Sequence, residues 1–180
     1  MTLTEAKELY FKYDGSLFHM EREEPLKYRD FAMLALSEEL LKAWDEEMLD
    51  KLFAGLYDDS KRIWANHALL LKVIGRKRCD SALYLKRLLK EMKKMETLDL
   101  FTKTLILENM AGRDAAQKDG GVYLFAQYPQ LASEMNAILQ KVVSYEKQVS
   151  DERFDRAAQA YRNAYQKWCM PRKIEEEVNR

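Results

Sequence analysis

From Ser37 onward the apolar residues of this chain recur every three or four positions, which is the period of a helix with one buried face. Leu40, Leu41, Trp44, Met48, Leu52 and Leu56 form the first such stripe. Ser37 stands at its N-cap position, with Glu38 and Glu39 in the first turn. "YDDS" at 57–60 predicts a break and a new cap. Ile63, His67, Leu70 and Ile74 then make a second stripe that closes at Gly75, and Arg76, Lys77 and Arg78 follow near its negative dipole end. Asp80 or Ser81 caps the next helix, striped by Leu85, Leu88, Leu89, Met92 and Met95. Thr97 is the expected cap of a helix carrying Leu98, Phe101, Leu105 and Met110, which ends at Gly112. Residues 113–129 form a long connection around Gly120-Gly121. Pro129 opens a further helix with Leu131, Met135, Ile138, Val142, Tyr145 and Val149. Ser150 is placed as cap of the last, whose face is Phe154, Ala157, Ala158, Tyr161, Tyr165 and Trp168, and Pro171 stops it.

The stretch "YFKYDGSLFHMEREEP", Tyr10 to Pro25, reads differently. Asp14-Gly15 between aromatic runs is a hairpin signal. Ala6, Leu9, Tyr10 and Tyr13 nevertheless have helical spacing, with Thr2 or Thr4 as cap and Gly15 just past the end. A β-hairpin and a helix–turn–helix both remain open. The helical reading is favoured: a turn at 14–16, a short second helix, and a third opened by Pro25. It buries Leu9, Tyr10, Tyr13 and Phe18 against the body.

The later helices fall into pairs with short connections, about 37–57 with 60–75, 80–96 with 98–112 and 129–148 with 151–169, which predicts antiparallel hairpins. Shifting "KRIWANHALLLKVIGR" (61–76) by 37 residues lays it on "LDLFTKTLILENMAGR" (98–113). Ile63 meets Leu100, Trp64 meets Phe101, and Gly75-Arg76 meets Gly112-Arg113. Over 37–113 the chain resembles the HEAT/armadillo superfamily of helical repeats, above all in "HALLLKVIGRKRCDSALYLKRLLKEM". The resemblance implies stacked hairpins, with about three needed to bury a continuous core. Some HEAT-like proteins bind DNA, HEAT-like DNA glycosylases among them. The catalytic residues of that family cannot be placed on this sequence, so none is carried over. The expected fold is all-α: antiparallel hairpins stacked as a short HEAT-like right-handed solenoid, or an irregular helix bundle. The expected organisation is one folding unit, with an N-terminal arm at 1–36, a hairpin domain at 37–169 and a polar tail at 170–180.

Composition agrees with helix. Of 180 residues 47% are hydrophobic and 33% charged, while 6 Gly and 3 Pro are too few for a fold built on many tight turns. No apolar run reaches the roughly 18 residues of a membrane span, and the N-terminus has no secretory pattern. Cys79 and Cys169 form no CxxC and read as reduced thiols, which predicts a soluble cytoplasmic protein.

Formal charge sums to zero but is unevenly spread: −8 over 1–59, +9 over 61–94 and −1 over 95–180. The asymmetry points to a nucleic acid or an acidic partner, or to an acidic N-terminal part lying against the basic middle. Lys72, Arg76, Lys77, Arg78, Lys86, Arg87, Lys90, Lys93 and Lys94 make up the basic segment, and Lys86, Lys90, Lys93 and Lys94 share one helical stripe that would neutralise phosphates.

Catalytic signals are sparse. His67 lies on an apolar stripe and reads as a core histidine. His19 stands near Glu21, Glu23 and Glu24, but a metal site needs three or four ligands and no HExxH or ExxH occurs. No phosphate-cradling glycine loop and no nucleophile elbow is present. Tyr13, Asp14 and His19, clustered at the N-terminal turn, are the one small-molecule candidate. The expectation is therefore a non-enzymatic scaffold that binds another protein, with no cofactor or metal and no membrane. The alternatives are a nucleic-acid binder using 72–94, or an enzyme whose site is assembled in the fold near Asp14 and His19.

Overall fold

A computed structural model describes residues 1–58, 62–113, 118–146 and 150–170. The expected cap at Ser60, the stripe position Val149 and the stop and tail from Pro171 lie outside them. Every regular element among the described residues is helical, with ten α-helices, one 3₁₀ turn and no strand: α1 (Leu3–Lys12), α2 (Leu17–Glu23), α3 (Pro25–Met33), α4 (Glu38–Ala54), α5 (Ile63–Gly75), α6 (Ser81–Met92), the 3₁₀ turn Lys93–Thr97, α7 (Leu100–Ala111), α8 (Gly121–Phe125), α9 (Pro129–Glu146) and α10 (Glu152–Cys169). No described helix is long and apolar enough to cross a membrane. The chain divides into two compact units, Met1–Ser81 and Ala82–Arg180.

In the first unit, residues 9–20 form helix, turn and helix. Thr2 caps α1 in a reciprocal box with Glu5. Asp14 and Gly15 both take left-handed backbone (φ 51° and 66°), which ends the helix and frees Ser16 to cap α2. Tyr10 is the centre of packing: it stacks on Phe31 of α3 with ring centroids 6.3 Å apart and tilts against Trp44 of α4 at 5.3 Å. Phe18, expected in the core, is exposed on α2 with the Arg22 guanidinium over its ring. Ser37 caps α4 as expected. The buried face of α4 runs Leu41, Trp44, Asp45, Met48, Leu49 and Phe53, so it contains a carboxylate and turns slightly away from Leu40 and Leu52. Gly75 remains inside α5, and the left-handed position that ends the helix falls on Lys77 (φ 60°).

In the second unit, α10 packs most extensively along α7 and α8. The buried face of α10 is largely small, with Ala157, Ala158 and Ala164 beside Phe154 and Tyr161, which suits it to close helix packing. At the surface of that contact Arg153 grips Glu108 with two hydrogen bonds of 2.7 and 2.9 Å while lying over the exposed Phe101. The cap of α7 is Asp99, two residues beyond the expected Thr97, and the cap of α10 is Asp151 rather than Ser150. On α9 the core takes Leu131, Met135, Leu139, Val142 and Val143, whereas Ile138 is half-buried and Tyr145 exposed. Gly112 and Gly120 touch: a Cβ on Gly120 would stand 2.6 Å from the Gly112 nitrogen, so two bare backbones pin the end of α7 to the start of α8.

Candidate functional site

The densest polar cluster lies in the first unit and centres on Asp45. Helical spacing directs this residue inward, four positions after Leu41 and three before Met48, and it has no solvent exposure. A buried carboxylate is tolerated only when its oxygens are fully engaged. The Tyr10 hydroxyl donates to its Oδ1 at 2.7 Å, and Arg76 Nη1 donates to the same oxygen at 2.7 Å. Arg78 Nη1 reaches Oδ2 at 3.4 Å and the Tyr10 oxygen at 3.1 Å, while its Nε pairs with Glu38 at 3.3 Å. The left-handed Lys77 between the two arginines reverses the chain, which lets both return to one carboxylate. Burial first, and then the bond to Asp45, push the Tyr10 phenol well above its ordinary pKa, so it stays a neutral donor.

Arg76 also donates through Nη2 to the backbone carbonyl of Asp14. The aromatic turn at the N-terminus and the basic segment, far apart in sequence, therefore meet on α4. Gly15 leaves the room that this approach needs. A Cβ there would lie 2.3 Å from Arg76 Nη1 and 2.7 Å from the Tyr10 ring.

The small-molecule candidates make separate contacts. The Tyr13 hydroxyl donates to Glu24 at 2.8 Å, and Lys12 and Lys27 pair with the same carboxylate. These donors, Lys12 first, hold Glu24 well below the usual carboxylate range. Asp14 contributes only its carbonyl to the cluster described above, and its side chain is exposed. The His19 amide donates to the capping Ser16 hydroxyl, and its ring lies 5.7 Å from that of Phe18.

The basic segment divides between the units. In the first, Lys72 and Lys77 are exposed whereas Arg76 and Arg78 are turned onto Asp45. In the second, Lys86, Lys90, Lys93 and Lys94 are exposed, Arg87 is half-buried, and Lys94 pairs with Glu91 at 2.6 Å. His67 is wholly buried on α5 with its ring 5.7 Å from that of Tyr57, and neither ring nitrogen has a hydrogen-bond partner among the described residues. Burial lowers its pKa to about 4. Both cysteines are free thiols, pushed up to about 11 by burial. Among the described residues no three His, Cys, Asp or Glu side chains gather as metal ligands.

Sequence reasoning missed Asp45. Its signal was a carboxylate at core spacing on an otherwise apolar face, which calls for a cationic partner elsewhere in the chain. Comparison with family models, with curated proteins and with solved structures gives no match to this chain.

Proposed function

We propose that the protein is a non-enzymatic helical scaffold that mediates protein–protein interaction in the cytoplasm. The observation that carries this reading is the outward face of α3, where Leu26 and Met33 are 69% and 77% exposed one heptad apart, on an arm tied down through Tyr10 and Asp14. Large apolar side chains presented on an anchored helix are ready-made contact area, because the backbone that carries them is already ordered before docking. A photo-crosslinking residue at Leu26, used in the native cell, is expected to give one discrete adduct that a Met33→Asp change removes. The same probe at exposed Lys42 of α4 should give none. Absence of an adduct at Leu26 would overturn the reading.

The HEAT-like repeat belongs to this proposal. It is supported by burial across the 37-residue shift: α5 and α7 begin at matching residues, Trp64 and Phe101 are both exposed, and His67 and Thr104, Leu70 and Leu107, and Val73 and Met110 are all buried. The extensive packing of α7 along α10 supports the irregular bundle instead.

Nucleic-acid binding is the second reading, favoured by the outer face of α6 and its following turn. There Lys86, Lys90, Lys93 and Lys94 are exposed opposite the buried Leu85, Leu88, Leu89 and Met92. Fluorescence anisotropy with a labelled duplex at two salt concentrations tests it. Binding should weaken steeply with salt and with Lys86→Glu and Lys90→Glu. Arg76 and Arg78 are unsuitable for this test, since altering them breaks the Asp45 cluster.

A further inference from the structure

We propose that the second unit carries a binding site for a planar aromatic anion, in the groove between the 3₁₀ turn Lys93–Thr97, the start of α7 and the end of α9. The α9 helix is apolar on more of its circumference than its core uses. Beyond the inward Leu131, Met135, Leu139 and Val143, the half-buried Ile138 and the exposed Tyr145 stand on either side of the buried Val142, at four- and three-residue spacing, and the three border open space. That space is a groove of about 360 Å³ lined by Glu96, Lys103, Lys141, Val142 and Tyr145. A hollow of about 150 Å³ shares Glu96, Lys141 and Val142 with it and extends to Met92 and Lys93. Together they are of a size that holds a small molecule.

The groove has a charged wall built from the interior. Lys103 is buried on α7, and its ammonium is paired with the buried Glu146. The same ammonium lies 5.6 Å from the centroid of the Tyr145 ring, which is 76% exposed. A cation against an aromatic ring draws π-density toward itself. The ring is thereby primed to stack, on its open side, against an electron-rich planar partner. Lys141 precedes Tyr145 by one helical turn and is exposed, and Lys93 borders the adjoining hollow. Because Glu146 already engages Lys103, the positive charge left for a ligand resides on Lys141 and Lys93, against the single carboxylate of Glu96. Lysines act as point charges and suit phosphate or carboxylate equally. The occupant is therefore a flat ring bearing one such group, with the ring on Tyr145 and the anion toward Lys141.

The test is titration of the full chain by amide NMR with AMP, salicylate and adenosine. AMP, salicylate or both should move the amides of Lys103, Lys141 and Tyr145 together, and which of them does so identifies the preferred anionic group. Tyr145→Ala should weaken binding about tenfold, the effect of one lost stacked ring. Lys141→Gln, at an exposed position where folding is not at stake, should weaken it by about threefold. Adenosine should bind at least about tenfold more weakly than AMP. The proposal is overturned if neither anion shifts these amides up to about 10 mM, if a folded Tyr145→Ala protein binds as tightly as the parent, or if AMP binds and adenosine matches it.

Discussion

Taking away the carboxylate of Asp45 would strand Arg76, Arg78 and the Tyr10 hydroxyl around a space they now share. Asp45→Ala is expected to cost about 3–5 kcal/mol, the usual penalty for unpairing a buried ion cluster, read as a lower urea midpoint at unchanged slope. Asp45→Asn, which keeps the shape and one acceptor, should fall between the two. Gly15→Ala meets both a left-handed backbone and the 2.3 Å approach of Arg76, and should destabilise by at least about 1–2 kcal/mol in the same assay. His67 predicts a pH dependence. Its folded pKa of about 4 lies below the ordinary 6.5, so between these values the unfolded chain binds the extra proton and stability falls as pH is lowered from about 6.5 toward 4. The full loss is about 3 kcal/mol, and a His67→Leu protein should show a flatter profile of melting temperature over that window. The burial of His67 was legible from its stripe. The role of Asp45 was not read, because a single carboxylate on an apolar face looks like a break in the pattern until its arginine partners, more than 30 residues away, are known.

At the scale of elements, the α7–α10 contact depends on small side chains. Ala157 is buried on α10 one turn after Arg153, the residue that holds Glu108 of α7, so Ala157→Leu should force the two helices apart at about 1–3 kcal/mol, visible as a lower melting temperature with helical content retained. Periodicity located most of the helices and their order. It left two kinds of detail open. Where cap-forming residues stand close together, as at Thr97 and Asp99 or Ser150 and Asp151, local chemistry permits either, and the packing of the helix decides. Where a helix is apolar over a wide arc, as α9 is, spacing gives the direction of the arc but not how much of it the core will cover. Ile138 and Tyr145 occupy the part left over, which is why the candidate groove was invisible in the sequence.

At the scale of the whole molecule, the two units carry opposite formal charge. Residues 1–81 hold 13 Lys and Arg against 16 Asp and Glu, net −3, and residues 82–180 hold 17 against 14, net +3. The helical class was legible from composition alone. The division at Ser81 is a property of non-local contacts, and in sequence that turn looks like any other between two helices. Met1–Ser81 expressed alone should give a helical circular-dichroism spectrum and a cooperative transition that Asp45→Ala abolishes or shifts down; a non-cooperative fragment would refute its independence. The tie between Arg76 and the Asp14 carbonyl spans 62 residues, and that between Arg78 and Tyr10 spans 68. On the ribosome the N-terminal arm is therefore made well before the side chains that fasten it. At about 5–20 residues per second, several seconds separate the two events. During that interval Tyr10 has Phe31 and Trp44 to pack on but no arginine, and Asp45 no counter-charge, so Arg76 and Arg78 act as the latch that closes the unit last.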